Sequence, residues 1–247
     1  MIFFGKTDIG LKRDINQDAF ECREFDGAQL CVVCDGMGGG KAGNVASKMA
    51  AQIICEKIQS GFSSKMKQNT IRNLMATSVN IANNEVYDKA KSDLDFEGMG
   101  TTVVAVMIFE GYAHVVHVGD SRAYLYYNGK LDQVTKDHSV VQHLIDIGQI
   151  TQEMAKIHPD RNIITRAVGV EKLVKCDYVD FKLPDNSKIL LCTDGLSNYC
   201  DLEFMLDVLN KNDASENVCD ALIKKAYDGG ASDNITVAIS ENLSFNK

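Results

Sequence analysis

The sequence predicts an α+β fold in which antiparallel sheets pack together and pairs of helices lie outside them. Short runs of β-branched and aromatic residues, bounded by Gly, Asp or Asn, follow one another without intervening helices. Asn128-Gly129 stands between two such runs and is a typical tight-hairpin sequence, which implies antiparallel pairing. Strands and helices therefore do not alternate regularly, and this favours α+β over a parallel α/β sheet.

Strand patterns occur in both halves of the chain. They cover residues 30–34, 101–109, 113–118, 122–127, 130–135, 189–193 and 235–240, and residues 19–25 are also strand-like. Helical spacing of apolar residues predicts one helix over 45–58, ending near Gly61, and a longer one over 71–90. Two later helices are predicted to start at Asp201 and at Asp213, the second with Gly229 beyond its end.

Length and composition predict a single globular domain over residues 1–247. No linker or low-complexity tract divides the chain, and its formal net charge is −8. This acidic balance argues against nucleic-acid binding, which requires a basic surface. The longest apolar run, residues 103–109, is far shorter than the ~20 residues needed to span a bilayer. The N-terminus lacks the features of a signal peptide. We therefore expect a cytoplasmic, monomeric protein without membrane contact.

The eight cysteines are expected to be reduced and mostly buried. Cys31 and Cys34 have the spacing of a C-x-x-C motif, but they belong to one predicted strand. An odd separation along a strand directs two side chains to opposite faces. This pair is therefore expected to form neither a zinc site nor a disulfide.

Acidic residues stand at the ends of several predicted strands. Asp35 and Asp194 each follow an apolar strand and precede Gly and an apolar residue, so the same pattern occurs twice. Asp120 follows another strand, Asp233 precedes a fourth, and Asp18 precedes a further strand-like run. A single Asp-Gly is an ordinary turn, but several converging acids would repel one another unless a cation held them. Oxygen ligands suit Mg²⁺ or Mn²⁺, and the glycines leave backbone carbonyls accessible as further ligands.

Other sites are less well supported by the sequence. The glycines of residues 38–43 fit the dinucleotide-binding pattern, but Asp35 stands where a pyrophosphate would have to approach. A second long helix follows where a dinucleotide-binding fold would have a parallel strand. The histidines show no paired metal-ligand spacing; they are His114, His117, His138, His143 and His158. No serine or cysteine nucleophile has a recognisable signature.

These residues make the chain resemble the metal-dependent protein Ser/Thr phosphatases of the PPM (type 2C) family, in their compact bacterial form. The matching motifs occur in family order over nearly the whole chain: Arg13-x-x-Asn-Gln-Asp18, Asp35-Gly-Met-Gly-Gly39, Gly100-Thr-Thr102, Gly119-Asp-Ser-Arg122, Thr193-Asp-Gly195 and Ser232-Asp-Asn-Ile-Thr236. The resemblance implies a sandwich of two antiparallel sheets flanked by helix pairs. It also implies that residues 136–169 include a mobile flap.

The resemblance further implies a set of metal ligands: Asp18, Asp35, Gly36 through its carbonyl, Asp120, Asp194 and Asp233. Asp35 would bridge two ions, and Asp18 would act through metal-bound water. Asp120 would help to hold a third, weaker ion together with Asp194. The expected cofactors are therefore two Mn²⁺ or Mg²⁺ ions, with a third at the weaker site.

The expected catalytic residues are Asp35, Asp194 and Arg13. A hydroxide that bridges two divalent ions ~4 Å apart is a nucleophile at neutral pH and could attack phosphorus in line. The guanidinium of Arg13 would clamp the phosphate of the substrate. Two positions depart from many family members, because Met37 stands where animal members carry His and Gln17 where many eukaryotic members carry Glu.

The expected substrates are phosphorylated proteins, and the expected partner is a cognate Ser/Thr kinase whose action the enzyme reverses. One alternative is a phosphatase devoted to a single regulatory protein, such as an anti-anti-sigma factor. Another is a catalytically inactive member that acts as a binding or regulatory module. Such a member would be expected to lack Asp35, Asp194 or Asp233, and this chain has all three.

Overall fold

A computed structural model describes residues 3–211 and 213–240, which contain two antiparallel sheets packed face to face. The strands are β1 (Phe3–Asp8), β2 (Asp18–Phe25), β3 (Ala28–Met37), β4 (Gly100–Thr101), β5 (Val103–Phe109), β6 (Tyr112–Val118), β7 (Arg122–Tyr127), β8 (Lys130–Gln133), β9 (Asp177–Lys182), β10 (Lys188–Cys192) and β11 (Ile235–Ser240). One sheet has the order β1-β11-β10-β7-β8. The other has the order β2-β3-β5-β6-β9, with β4 paired to β3.

The helices are α1 (Ala42–Gly61), α2 (Gln68–Ser92), α3 (Val140–Asp146), α4 (Gln152–Lys156), α5 (Asp194–Ser197), α6 (Leu202–Asn210) and α7 (Ser215–Asp228), with a 3-10 turn at Leu94–Phe96. All but α3 and α4 cover the outer faces of the two sheets. Helices α1 and α2 pack on the β3 sheet, and α5, α6 and α7 pack on the β10 sheet. The predicted sandwich with helix pairs outside is therefore confirmed. No helix of the described residues is long and apolar enough to cross a bilayer.

The apolar side chains form three layers because alternate residues of each strand face opposite ways. Between the sheets, Val104 and Val106 of β5 meet Ile189 and Leu191 of β10. Outside each sheet, the remaining apolar residues pack under the helices. Cys34 lies in the layer under α1, whereas Cys31 lies between the sheets, so the prediction that they face opposite sides is confirmed. All eight cysteines are free.

Local sequence signals predict most elements but not all of them. Strands β7 and β11 have the predicted limits, and Asn128 and Gly129 both adopt the positive φ of the predicted hairpin turn. Strands β1 and β9 were not predicted, because their half-buried residues carry no clear alternation of apolar and polar side chains. The predicted start at Asp213 is wrong, since α7 begins at Ser215 with Ala214 as its N-cap.

The antiparallel topology brings five strand ends to one end of the sandwich. In the β2–β3 pair, Asp18 lies directly opposite Asp35, because the start of one strand adjoins the end of its neighbour. In the same way, β10 ends just before Asp194 and its neighbour β11 begins just after Asp233. Strand β6 runs in the direction of β3 and ends just before Asp120. The site described next is therefore built from both sheets.

Candidate metal centre and active site

The carboxylates singled out by the sequence lie close enough to influence one another. Burial raises the pKa of Asp35 well above its ordinary value, and the negative charges of the other four acids, Asp18, Asp194, Asp120 and Asp233, raise it further. A carboxyl group loses its proton less readily when it is buried and surrounded by like charges. The predicted acids therefore form one electrostatic cluster at the end of the sandwich.

Asp18 is buried between the two sheets and hydrogen-bonded on one oxygen only. Its Oδ2 accepts from the hydroxyls of Thr193 at 2.9 Å and Thr236 at 2.7 Å. Its Oδ1 is buried without a hydrogen-bond partner. Burial raises the pKa of this carboxyl to about 7, although both hydroxyl bonds act in the opposite direction. One oxygen is thus fixed by the scaffold, and the other is left for a ligand.

The backbone of Asp35 is held by the Thr-Thr motif on the neighbouring strand. The backbone N–H of Asp35 donates to Thr102 Oγ1 at 2.9 Å, and Thr102 N–H donates to the Asp35 carbonyl at 2.8 Å. Thr101 Oγ1 donates to the same carbonyl at 2.9 Å. These bonds fix the backbone from which the Asp35 side chain projects, and its carboxylate lies beside that of Asp194.

Asp194 occupies the first position of α5. Asn198 Nδ2 donates to its Oδ2 at 3.2 Å, while its Oδ1 is buried without a partner. Burial raises the pKa of Asp194, and the charge of Asp233 adds to the effect. Buried polar atoms in proteins are normally hydrogen-bonded, so an orphaned carboxylate oxygen is a feature that a bound cation explains. Asp18 and Asp194 both have this feature.

The glycine that follows each repeated Asp is required by close backbone packing. A Cβ on Gly195 would lie 1.8 Å from the carbonyl oxygen of Asn234, and one on Gly36 would lie 2.0 Å from that of Gly43. A Cβ on Gly43 would in turn lie 2.7 Å from the Gly36 carbonyl oxygen. The absence of side chains at Gly36 and Gly43 therefore allows these two backbone segments to pack closely, and the role of the Gly36 carbonyl as a ligand stays a prediction.

Asp120 and Asp233 complete the cluster on the side of the cleft. Burial and the charge of Asp194 raise the pKa of Asp120 to about 7. Asp233 Oδ1 accepts from the backbone N–H of Asn234 at 2.8 Å, and its Oδ2 accepts from Arg13 at 2.7 Å. The side chain of Arg13 is 49% exposed, so this guanidinium lies at the rim, next to a candidate metal ligand.

The donor set fits divalent cations that prefer oxygen. The cluster offers carboxylate oxygens and backbone carbonyls, which are the ligands of Mg²⁺ and Mn²⁺, and no thiol or imidazole. No three of these acids have ligand atoms within 4.8 Å of one another, as judged over residues 3–211 and 213–240. Two divalent cations would compensate the like charges that raise the pKa values of Asp18, Asp35, Asp120 and Asp194.

An open cleft of about 1020 Å³ leads from the cluster to the surface. Asp120, Asp194 and Asp233 lie at its inner end. Helices α3 and α4 form one wall, and residues 197–203 form the other. A phosphorylated side chain could enter this cleft while the chain that carries it lies along the walls.

A second polar cluster, formed by His117, His138 and Asp177, was not predicted, because its members are distant in sequence. Their ligand atoms lie within 4.8 Å of one another. However, His138 Nδ1 accepts from the backbone N–H of Gly119 at 3.1 Å, and the guanidinium of Arg166 lies 2.9 Å from Nε2. An occupied nitrogen and an adjacent fixed cation both oppose metal binding. We interpret this cluster as a hydrogen-bonded network.

Three scaffold residues of the site belong to the quoted motifs but have no predicted role. They are Thr193, Thr236 and Asn234. Asn234 Nδ2 donates to the carbonyls of Ile9 and Ile15, and thereby ties the segment that carries Arg13 to the start of β11. Gln17 Nε2 donates to the carbonyls of Gly38 and Gly40 at 3.2 and 3.1 Å. It fixes the glycine-rich loop before α1.

Without metal, the site should destabilise the fold as the pH rises. The folded protein holds a proton on Asp18 up to a pKa of about 7, whereas the unfolded chain loses it near the ordinary value of 3.8. The free energy of unfolding therefore decreases as the pH rises from the lower to the higher of these pKa values. The decrease is at most ~1.4 kcal/mol per pH unit for this group. Asp18→Asn removes the charge but keeps an acceptor for Thr193 and Thr236. We expect it to stabilise metal-free protein more at pH 8 than at pH 5.

Urea unfolding with a chelator at both pH values measures this difference. Asp26→Asn is the control, since Asp26 lies exposed in the β2–β3 turn and undergoes the same loss of charge. An equal effect of Asp18→Asn at both pH values would contradict the assignment of a raised pKa to this carboxyl.

Comparison with known proteins places this arrangement in one family. The family model described as Protein phosphatase 2C matches residues 12–226. The serine/threonine phosphatase stp of Listeria welshimeri is 36% identical over 239 residues, which is 96% of this chain and 94% of that protein. The structure of Stp1 from Staphylococcus aureus superposes with a TM-score of 0.90 at 36% identity, covering 99% and 96% of the two chains. The catalytic domain of PstP, in complex with two manganese ions, superposes with a TM-score of 0.85 at 31% identity, covering 98% of each chain. This chain belongs to the protein phosphatase 2C family.

Proposed function

We propose that this protein is a metal-dependent protein serine/threonine phosphatase that hydrolyses phosphoserine and phosphothreonine. The observation that carries the proposal is the convergence of five carboxylates from both sheets, three of which line an open cleft, with orphaned buried oxygens on Asp18 and Asp194. Relatives with the same fold are named serine/threonine phosphatases, and one structure of such a relative holds two manganese ions.

The chain's own residues would hold two Mn²⁺ or Mg²⁺ ions. We assign Asp35 as the bridging ligand, because it lies between Asp18 on its own sheet and Asp194 on the other. The remaining ligands of this pair would be Asp233 and the carbonyl of Gly36, and Asp120 would contribute to a third, weaker position. When bound, two such ions lower the pKa of water and neutralise charge on phosphoryl oxygens.

Arg13 would bind the phosphate of the substrate. Its guanidinium is half-exposed and contacts Asp233, which lines the cleft. Metal binding to Asp233 would release the guanidinium, which can then form a bidentate contact with phosphate oxygens. The charge that develops on those oxygens during the reaction would be stabilised by this contact.

The open cleft of about 1020 Å³ offers space for the chain that carries a phosphorylated side chain. We propose that the chain acts against a cognate Ser/Thr kinase in phosphorylation signalling, as a cytoplasmic monomer with one catalytic domain over residues 1–247. The layer of apolar residues shared by both sheets supports a single domain. An inactive binding module has no support, since every predicted ligand lies at the site.

Asp35→Asn or Asp194→Asn should abolish turnover without unfolding the protein. Removing either carboxylate weakens metal binding, whereas relief of repulsion among buried acids favours the metal-free fold. We expect hydrolysis of an aryl phosphate with Mn²⁺ to fall more than ~100-fold, a barrier change of ~2.7 kcal/mol. Circular dichroism should be unchanged, and Asp26→Asn serves as the control. Near-normal turnover in a folded Asp35→Asn variant would exclude the assigned metal site.

Arg13→Ala should impair substrate capture more than metal binding. Loss of a charge-assisted bidentate contact should raise KM by about tenfold, with a smaller effect on kcat. Affinity for Mn²⁺ should not decrease, because Arg13 competes with cations for Asp233. Steady-state kinetics and Mn²⁺ titration measure both quantities, and Arg13→Lys tests the need for the planar fork. Unchanged kinetics would make Arg13 an ordinary surface ion pair, worth ~0–1 kcal/mol.

Deletion of residues 149–156 should affect protein substrates selectively. This stretch contains α4, which lines the cleft but contributes none of the assigned ligands. Binding energy from the rest of a phosphoprotein could be used through this wall. We expect hydrolysis of an aryl phosphate to stay within about tenfold of wild type, and activity on a phosphoprotein to fall considerably further. Equal loss on both substrates would identify α4 as a purely structural helix.

A further inference from the structure

Asp137 and His138 hold both sides of the turn that carries Asp120. The carboxylate of Asp137 accepts from Arg122 Nε at 3.0 and 3.1 Å and from Arg122 Nη2 at 2.6 Å, so this contact is bidentate. His138 holds the other side. Its ring Nδ1 accepts from the backbone N–H of Gly119 at 3.1 Å, and its backbone N–H donates to the Gly119 carbonyl at 2.9 Å. The dipeptide Asp137-His138 thus fixes Gly119, directly before Asp120, and Arg122, two positions after it.

The ring of His138 is held in one orientation by contacts at both nitrogens. Nδ1 accepts from Gly119, and Nε2 lies 3.2 Å from Asp177 Oδ2 and 2.9 Å from the guanidinium of Arg166. Arg166 binds Asp177 Oδ1 at 3.0 Å and holds that carboxylate in place. The ring of His117 stacks on His138 at 4.7 Å between centroids. Only 6% of His138 is exposed to solvent, so the ring is packed on all sides.

His138 is also the point where the segment carrying α3 and α4 leaves the sheets and returns to them. Thr165 N–H donates to the His138 carbonyl at 2.8 Å, and Val140 N–H donates to the Ile163 carbonyl at 2.9 Å. The start and the end of this segment are therefore bonded together at His138. A displacement of the segment relative to the sheets would therefore disturb the contacts of His138.

A continuous chain of hydrogen bonds leads from this turn to Asp35. Ser121 Oγ lies 2.6 Å from Thr102 Oγ1, and Thr102 binds both backbone groups of Asp35. A Cβ on Gly119 would lie 2.6 Å from Thr102 Cγ2, so the turn also packs directly on this residue. The position of Asp120 is thus determined from two directions, by His138 on one side and by Thr102 on the other.

We infer that His138, together with Asp137, is a positioning residue that sets the place of the Asp120 carboxylate and links it to the segment carrying α3 and α4. This inference rests on the proposed function, in which Asp120 contributes to the third, weaker cation position. His138 itself does not line the cleft, so its effect on cations would act through Asp120. Loosening its contacts should therefore affect the weakest cation and leave the two tighter ions in place.

Two variants separate the contacts of the ring, and a third serves as the control. His138→Ala removes both ring contacts. His138→Asn keeps an acceptor near the position of Nδ1 for Gly119 but cannot reach Asp177. Lys136→Ala is the matched control, because Lys136 lies two residues away in an exposed ion pair with Asp146 and its side chain does not touch the Asp120 turn.

The first readout is amide hydrogen exchange at Gly119 in metal-free protein, followed by NMR. His138→Ala should increase the exchange rate of this amide by about tenfold or more, because its acceptor is lost. His138→Asn and Lys136→Ala should stay within about threefold of wild type, since both keep an acceptor for this amide. An unchanged rate in a folded His138→Ala variant would show that the ring does not hold the turn, and would overturn the inference.

The second readout is Mn²⁺ binding by calorimetry, with turnover of an aryl phosphate as a function of Mn²⁺. His138→Ala should weaken the weakest binding step about tenfold without changing the tighter steps, and His138→Asn should largely restore it. A wild-type weak step in His138→Ala would overturn the inference. If this variant does not fold, Asp137→Asn tests the other side of the turn, where the weak step should be reduced about threefold and a wild-type value would again overturn it.

Failure of the proposed function would be visible in the wild-type protein, which would then lack Mn²⁺-dependent turnover. Failure of the present inference would instead appear in an active wild-type protein whose His138→Ala variant keeps either the wild-type exchange rate at Gly119 or the wild-type weak binding step. The exchange rate at Gly119 is measured without metal or substrate, so it reports on the contact independently of catalysis.

Discussion

The mutual repulsion of buried carboxylates at one end of the sandwich is the constraint on which the rest of the site depends. Five strand ends bring acids together; burial raises the pKa values of Asp18, Asp35, Asp120 and Asp194, and like charges raise them further. Such a cluster is unfavourable unless cations occupy it. A rigid scaffold must therefore hold the acids in place before any cation binds, and the two packed sheets provide that scaffold.

Hydroxyl groups and backbone amides, not charged partners, hold most of these acids. Thr193 and Thr236 bind one oxygen of Asp18, and Thr102 binds the backbone of Asp35. Neutral donors orient a carboxylate without cancelling its charge, so the charge stays available to a cation. Arg13 is the exception, because its guanidinium contacts Asp233 directly at the exposed rim. This exception fits the proposed role of Arg13, which must be free to exchange Asp233 for a phosphate.

The sequence predicted the elements that have a strong local signal. Helices α1 and α2 follow from the 3.6-residue spacing of their buried residues, and the β7–β8 hairpin follows from Asn128-Gly129. Strands β1 and β9 have no such signal, because each is an edge strand that depends on pairing with a strand distant in sequence. The start of α7 was misplaced because Asp213 resembles an N-cap, while the chain there does not use a side-chain cap.

The sequence by itself determined which acids stand at strand ends, since Asp-Gly after an apolar run is a local pattern. It also determined, through the resemblance of six ordered motifs, the family and the sandwich fold. Only the tertiary structure decided which atoms of those acids are free and which neighbours hold them, because Asp18 and Thr236 are far apart in the chain and meet only across two sheets. The same holds for His117, His138 and Asp177, whose contacts depend on three separate segments that pack together only in the folded protein.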